Sequence, residues 1–169
     1  MAKEIERKFL IVSDEWRRLV SHQVEIQDGI LAVNNGRKVR VRFYDNRATL
    51  TVKGPRNGIV RDEFEYDIPA EDGRAMLLEH RVGEILRKTR YYAPVDYGLW
   101  CIDQYHGSLS GIYFAEIELG ETDTYFEKPA WLGREITGDK EFSQTYLIKK
   151  RRQSIQTAKE AEKSGIPSH

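Results

Sequence analysis

The run Lys38-Val39-Arg40-Val41-Arg42-Phe43-Tyr44, the pair Asp45-Asn46, and the run Arg47-Ala48-Thr49-Leu50-Thr51-Val52-Lys53 alternate side-chain character with a period of two on both sides of a turn. In an extended strand, residues i and i+2 point to one face, about 6.5–7 Å apart. Lys38, Arg40 and Arg42 therefore share a face, with Val39, Val41 and Phe43 behind them. Lys53 follows Thr49 and Thr51 on one face, backed by Leu50 and Val52. The pattern predicts two strands, Lys38–Asp45 and Arg47–Lys53, joined as a hairpin.

Working outward, the same period recurs at Glu4–Val12, His22–Val33, Ile59–Ile68, Glu84–Tyr92, Leu99–Tyr105 and Ile112–Leu119. Turn residues separate several of these runs: Asn34-Asn35-Gly36, Gly54-Pro55-Arg56-Asn57-Gly58 and His106-Gly107-Ser108. About eight strands with short connections point to an antiparallel sheet or barrel. Helical signals are fewer. Ser13 is placed to cap a short helix through Leu19, Pro69 opens one that runs to about Arg81, and a third begins near Asp139 and extends through Lys159. The fold class is α+β, mainly β. One domain over residues 1–163 and a frayed tail from Ser164 to His169 are expected.

Composition narrows the function. The 169 residues carry equal numbers of basic and acidic side chains, 27 each, yet 32% of the chain is charged. A protein that gripped nucleic acid through its overall field would carry a basic excess. An anion bound here must meet a local arrangement of charges. No apolar run approaches the roughly 20 residues a membrane span needs. The charged start, Met1-Ala2-Lys3-Glu4, does not read as a signal peptide. Cys101 is the single cysteine, so an internal disulfide is excluded and a reduced, cytoplasmic location is expected.

Strand by strand, the charged faces carry like-signed pairs. Glu4 and Glu6 share a face with Lys8; Arg40 stands with Arg42; Arg61, Glu63 and Glu65 line up; Lys88 and Arg90 pair; Asp103 sits between Cys101 and Tyr105; Glu116 and Glu118 close the series. A merely solvated amphipathic sheet gains nothing from stacking like charges, which repel. Paired acids suit hard divalent cations, and paired bases suit phosphates. If the strands close into a barrel, the apolar face meets the helices and the charged face lines the lumen. Burying so many charges is tolerable only in a wet lumen where they meet one another or a charged ligand, because the penalty runs to several kcal/mol per ion.

Glu4-Ile5-Glu6-Arg7-Lys8 resembles the E-x-E-x-K signature that opens proteins of the CYTH, or triphosphate tunnel metalloenzyme, family. It is followed in order by Arg40-Val41-Arg42, Thr51-Val52-Lys53-Gly54, Arg61-Asp62-Glu63-Phe64-Glu65, Lys88-Thr89-Arg90 and Glu116-Ile117-Glu118. Trp131 to Asp139 is similar to the closing segment of the small bacterial members. The resemblance implies an eight-stranded antiparallel closed barrel flanked by helices, acting on triphosphates with Mg²⁺ or Mn²⁺, two ions per site. It implies that Glu4, Glu6, Glu116 and Glu118 hold metal. Glu63 and Glu65, with Asp103, would complete a second metal site or position water. Lys8, Arg40, Arg42, Lys53, Lys88, Arg90 and Arg134 would grip the polyphosphate. Lys88 is also a candidate base, should neighbouring cations depress its pKa. The family also implies a small-molecule partner and a possible homodimer, while the charge balance and hydropathy point to no nucleic-acid or membrane partner.

The chain departs from the family at Ile30, where close bacterial relatives place a tyrosine. It also extends the last helix with Lys149-Lys150-Arg151-Arg152, which reads as a solvated helix face. The Gly54–Gly58 turn lacks the lysine-serine ending of a phosphate-binding loop. His22, His80, His106 and His169 show no ligand spacing. Hydrolysis of inorganic triphosphate is the leading expectation, since no aromatic pocket for a base or thiamine ring stands out. The alternatives are a class IV adenylate cyclase, a thiamine or nucleoside triphosphatase, and a non-catalytic polyphosphate-binding barrel.

Overall fold

The computed structural model describes residues 2–165. Its strands are β1 Lys3–Ile11, β2 His22–Asn34, β3 Arg37–Tyr44, β4 Arg47–Lys53, β5 Val60–Ile68, β6 Val82–Val95, β7 Gly98–Tyr105, β8 Tyr113–Glu118 and β9 Leu132–Glu135. Two α-helices flank them, α1 Ala70–Glu79 and α2 Gln144–Ser164. Eight strands run in the order β5-β4-β3-β2-β6-β7-β8-β1, every pair antiparallel. The sheet closes on itself where β1 meets β5 through Lys3↔Asp62, Glu4↔Arg61 and Ile5↔Val60. Closure removes the open edges of the sheet. β9, unforeseen from the sequence, takes over the same edge of β1 beyond the closure, pairing Phe9↔Glu135 and Ile11↔Leu132. Arg7 fastens it from outside with a two-pronged bond to Glu135 at 2.9 and 2.7 Å.

Turn chemistry sets the hairpins. Asn35 and Gly36 both have positive φ, 47° and 77°, the conformation that keeps the twist of β2 and β3 matched. α1 carries the chain from β5 across the outside of the barrel, so that β6 inserts beside β2. Its close seat depends on two glycines: a Cβ on Gly29 would meet Leu77 Cδ1 at 2.5 Å, and one on Gly73 would meet Ala48 Cβ at 2.7 Å. The Ser13 cap is not made; Asp14 precedes a short 3-10 turn, Glu15–Leu19, whose Trp16 is fully buried. The last helix starts later than the spacing predicts. Asp139 caps a 3-10 turn at Lys140–Phe142, and Ser143 then caps α2 by accepting from Tyr146 N at 3.2 Å. α2 runs through Ser164, and the rest of the expected tail, residues 166–169, lies outside the described residues.

The core lies mainly outside the barrel wall. Phe9, Trp100, Ile102, Ala115 and Ile117 pack under Trp16, Phe126 and Trp131, while Val41, Phe43 and Ala48 pack under Leu77 of α1. A third cluster lies on the lumen face. Leu86, Tyr105 and Phe114 are two positions along from Lys88, Asp103 and Glu116, and together with Leu10, Ile136 and Phe142 they pack against Leu147 and Ile148 of α2. The barrel interior is therefore divided: an apolar floor at the α2 side and a charged chamber above it. No helix among the described residues is long and apolar enough to cross a membrane.

Candidate active site

The chamber encloses about 910 Å³. Its wall is built from the lumen faces read off the sequence: Glu4, Glu6 and Lys8 on β1; Arg40 and Arg42 on β3; Lys53 on β4; Glu63 and Glu65 on β5; Lys88 and Arg90 on β6; Glu116 and Glu118 on β8. Two of the residues singled out lie elsewhere. Arg134 is exposed, stands 3.5 Å from Asp139 and covers the Phe142 ring at 5.3 Å. Asp103 is on the lumen face but is fully buried beneath Lys88 and Arg90 and does not line the chamber.

Asp103 does not join the other acids because Lys88 and Arg90 occupy both its oxygens. Lys88 Nζ donates to Oδ2 at 2.6 Å; Arg90 donates from Nε to Oδ1 at 2.7 Å and from Nη2 to Oδ2 at 2.8 Å. Burial alone would raise the Asp103 carboxyl, but Arg90 and Lys88 outweigh it and hold the group well below the carboxylate range. Arg90 reaches on to Glu116 at 3.2 Å, and Lys8 meets the same carboxylate at 3.4 Å. Burial also tends to raise Glu116; Lys8 leads the neighbours that bring it down to about 2. Lys88 is lowered to about 8, first by burial and then by Arg42 and Arg90, with Asp103 opposing. It still carries its proton in neutral water.

The other acids are in a different condition. Glu4 and Glu63 share Lys53, at 3.0 and 2.6 Å. Glu65 takes a hydrogen bond from Thr51 at 2.9 Å and faces Arg40 at 3.5 Å. Among the described residues, Glu6 pairs with Arg56 alone, at 3.7 Å. Its carboxyl is pushed up to about 8, by burial first and then by Glu116 and Glu4. Glu118 is raised as well, by burial and then by Glu4 and Glu63. Among the described residues, no three acids stand close enough as they are to clasp one ion. Even so, the set fits a hard divalent cation. Its donors are carboxylate oxygens, and Glu6 and Glu118 are crowded by like charges that such an ion would relieve.

The cationic wall is also under-satisfied. Arg40 Nε and Arg61 Nε are buried with no hydrogen-bond partner among the described residues. Lys38 is lowered to about 8 by burial and by Arg61, Lys53 and Arg40. Cations gathered in this way suit an anion with several oxygens.

Sequence reasoning missed three contributors. Arg56 was hidden in a turn, yet it reaches Glu6 and packs on Gly138 of the closing segment. Lys38 shared the Arg40 face without being assigned a role. Asp28, buried and paired with Arg42, gave no sign in the alternation of β2.

A closed antiparallel barrel whose chamber sets carboxylates against guanidinium and ammonium groups defines a tunnel protein built for a compact polyanion. The comparisons make that class specific. The chain belongs to the CYTH domain family, whose model matches residues 2–160. It is 36% identical over 149 residues to the inorganic triphosphatase of Acetivibrio thermocellus, covering 88% of this chain and 95% of that one. It is 31% identical over 148 residues to the inorganic triphosphatase of Nitrosomonas europaea, covering 85% and 95%. A solved inorganic triphosphatase structure superimposes with a TM-score of 0.60 at 28% identity, covering 88% of this chain and 95% of that chain.

Proposed function

We propose that this protein hydrolyses inorganic triphosphate to pyrophosphate and orthophosphate with a divalent cation, Mg²⁺ or Mn²⁺. The observation that carries the reading is the opposition inside one chamber: Glu6 and Glu118 held against like charges, facing Arg40, Arg61 and Lys38. Neither set reaches its lowest energy alone; a metal-bound triphosphate supplies both missing partners.

Glu4, Glu6, Glu116 and Glu118 would hold the metal, and Glu63 and Glu65 would take a second ion or orient the attacking water. The bound metal would offset charge on the transferring phosphoryl group. The chain's own work is positioning and neutralisation, which dominate phosphoryl transfer. Arg42 and Arg90, each locked in plane by an aspartate fork, present guanidinium groups to phosphate oxygens. Lys88, protonated and fixed on Asp103, adds a point charge rather than acting as base. Lys8 and Lys53 bridge acids and anion. Arg134, turned outward over Phe142, is assigned no phosphate contact.

The chamber offers a purine or thiamine ring little to stack on. The aromatic residues of its lining are Tyr44 and Phe142. Tyr44 lies between Arg42 and Arg47, 5.4 and 5.2 Å from its centroid, and Phe142 is covered by Arg134. Inorganic triphosphate is therefore favoured over organic ones. Phosphate release from tripolyphosphate, ATP and thiamine triphosphate, with Mg²⁺ and with Mn²⁺, tests this. Tripolyphosphate should lead by at least about tenfold. Equal rates on all three, or cyclic AMP from ATP, would overturn the substrate assignment. Tight binding without release under either metal would leave a non-catalytic barrel.

A further inference from the structure

β2, like β7, sets a single buried carboxylate among otherwise uncharged positions of the lumen face. Its cross-strand partners place Val24, Ile26, Asp28 and Ile30 opposite Arg90, Lys88, Arg42 and Arg40. Three of those four lumen positions are apolar, and the fourth is a carboxylate that is 1% exposed. Asp28 meets Arg42 as a fork: Nε donates to Oδ1 at 2.5 Å and Nη2 to Oδ2 at 2.8 Å. Its Oδ2 also lies 3.8 Å from Lys88 Nζ, on which Asp103 Oδ2 closes at 2.6 Å. Arg42, Lys88 and Arg90 thus stand in one row, interleaved with two carboxylates. Without Asp28, Arg42 would lose its forked carboxylate and Lys88 would keep only Asp103, which Arg90 also grips.

We propose that Asp28 is a positioning residue for the polyanion site: it fixes the plane of the Arg42 guanidinium and lets Arg42 stand beside Lys88, so that both present charge to the same phosphate chain. The inference rests on the triphosphatase reading and deepens it. The physical reason is geometric. A guanidinium free to rotate loses the directed, paired donors that distinguish it from a point charge. A carboxylate at two of its nitrogens leaves it one orientation, with Nη1 directed at the Tyr44 hydroxyl 3.3 Å away at the edge of the chamber. The apolar neighbours Ile26 and Ile30 offer no alternative partner, so Arg42 has no other anchor on this strand.

The test is a double-mutant cycle between Asp28→Asn and Arg42→Ala, with Arg42→Lys as a variant that keeps the charge and loses the fork. Three readouts are taken on the full chain: KM and kcat on tripolyphosphate, calorimetric affinity for tripolyphosphate without metal, and thermal melting. Asp28→Asn should raise KM and weaken metal-free binding by about ten- to hundredfold, with the smaller part of the loss in kcat. Arg42→Lys should match it to within about threefold. In the Arg42→Ala background, Asp28→Asn should add no more than about twofold, because its effect passes through that side chain. A wild-type KM in Asp28→Asn, or full additivity of the two losses, would overturn the proposal. Should Asp28→Asn fail to fold, Arg42→Lys decides: a wild-type affinity there would show that the fork is not needed. If wild-type protein releases no phosphate, the activity assignment fails, while metal-free binding still tests Asp28.

Discussion

Two groups of carboxylates share the chamber and behave in opposite ways. Asp28 and Asp103, set behind the cationic row, are fully enclosed, forked by arginines and held well below the usual carboxylate range; burial opposes that, but the arginines win. Glu6 and Glu118, on the adjoining strands β1 and β8, are raised by burial and by neighbouring acids. The first pair is satisfied within the chain and serves as scaffold. The second pair, directly opposite each other across the strands, is crowded by other acids that the register gathers: Glu116 and Glu4 around Glu6, Glu4 and Glu63 around Glu118. Proximity to a chamber does not identify a site acid. What identifies one is a charge that the fold gathers and then leaves uncompensated.

The comparison breaks or sharpens most clearly with one isosteric change at each place. Asp103→Asn leaves Lys88 and Arg90 without their carboxylate and should cost about 3–5 kcal/mol of stability, the usual loss when one partner of a buried ion pair is removed. Chemical denaturation measures this directly. Glu6→Gln should do the reverse: in metal-free buffer near neutral pH the fold gains stability, because glutamine is spared the cost of taking up the proton that the crowded Glu6 must hold on folding. Phosphate release should drop by roughly a hundredfold or more, since a carboxylate the metal needs has been lost. If both variants lower the melting temperature alike, the division into scaffold and site acids is wrong.

The division was only half legible beforehand. Arg40-Val41-Arg42, Glu4-Ile5-Glu6 and Glu116-Ile117-Glu118 announce themselves because the chamber is wet and the wall behind it dry, so the pleat writes itself as alternation. β2 breaks that correspondence. Gln23, Glu25 and Gln27 face outward while Val24, Ile26 and Ile30 face the lumen, so its alternation points the wrong way and conceals Asp28. Asp103 had the right spacing, but its partners follow from the register Arg90↔Asp103, which no local pattern states. β9 escaped because it is four residues long, contains Gly133 and exists only by pairing with β1, far away in the chain. The apolar floor, in the same way, is set by where α2 returns rather than by strand period.

A smaller effect follows from protons. Unfolded, Glu6 releases its proton near 4.5; folded, it keeps it until about 8. Between those values the unfolded chain binds fewer protons, so stability declines as pH rises through the window and levels off above it. The melting-temperature advantage of Glu6→Gln should therefore grow from about pH 5 to about pH 8, and added Mg²⁺ or Mn²⁺ should shrink it by favouring the carboxylate. Asp28 and Asp103 carry the opposite sign. Their stabilisation is in place above the ordinary value of 3.8 and is lost as pH falls below it. A constant offset between Glu6→Gln and wild type across the whole range would mean that Glu6 is not crowded by charge.

The smallest effect belongs to a third set of charges, at the exposed rim of the barrel, on the same strand faces as the chamber. Arg47 and Asp67 reach across β4 and β5 at 2.7 Å, with side chains 60% and 71% exposed. Its single bond is as short as the shorter prong of the Arg90–Asp103 fork, so distance alone would rank the two together. Water separates them: an exposed pair gives back in lost hydration and side-chain freedom nearly what it gains in attraction. Asp67→Ala should change stability by no more than about 0.5 kcal/mol and leave KM for tripolyphosphate where it was. Arg47 also flanks Tyr44 at the edge of the chamber, so a change in KM here would show that the charged chamber extends past Tyr44. The satisfied and unsatisfied sets would then have to be redrawn with the outer rim included.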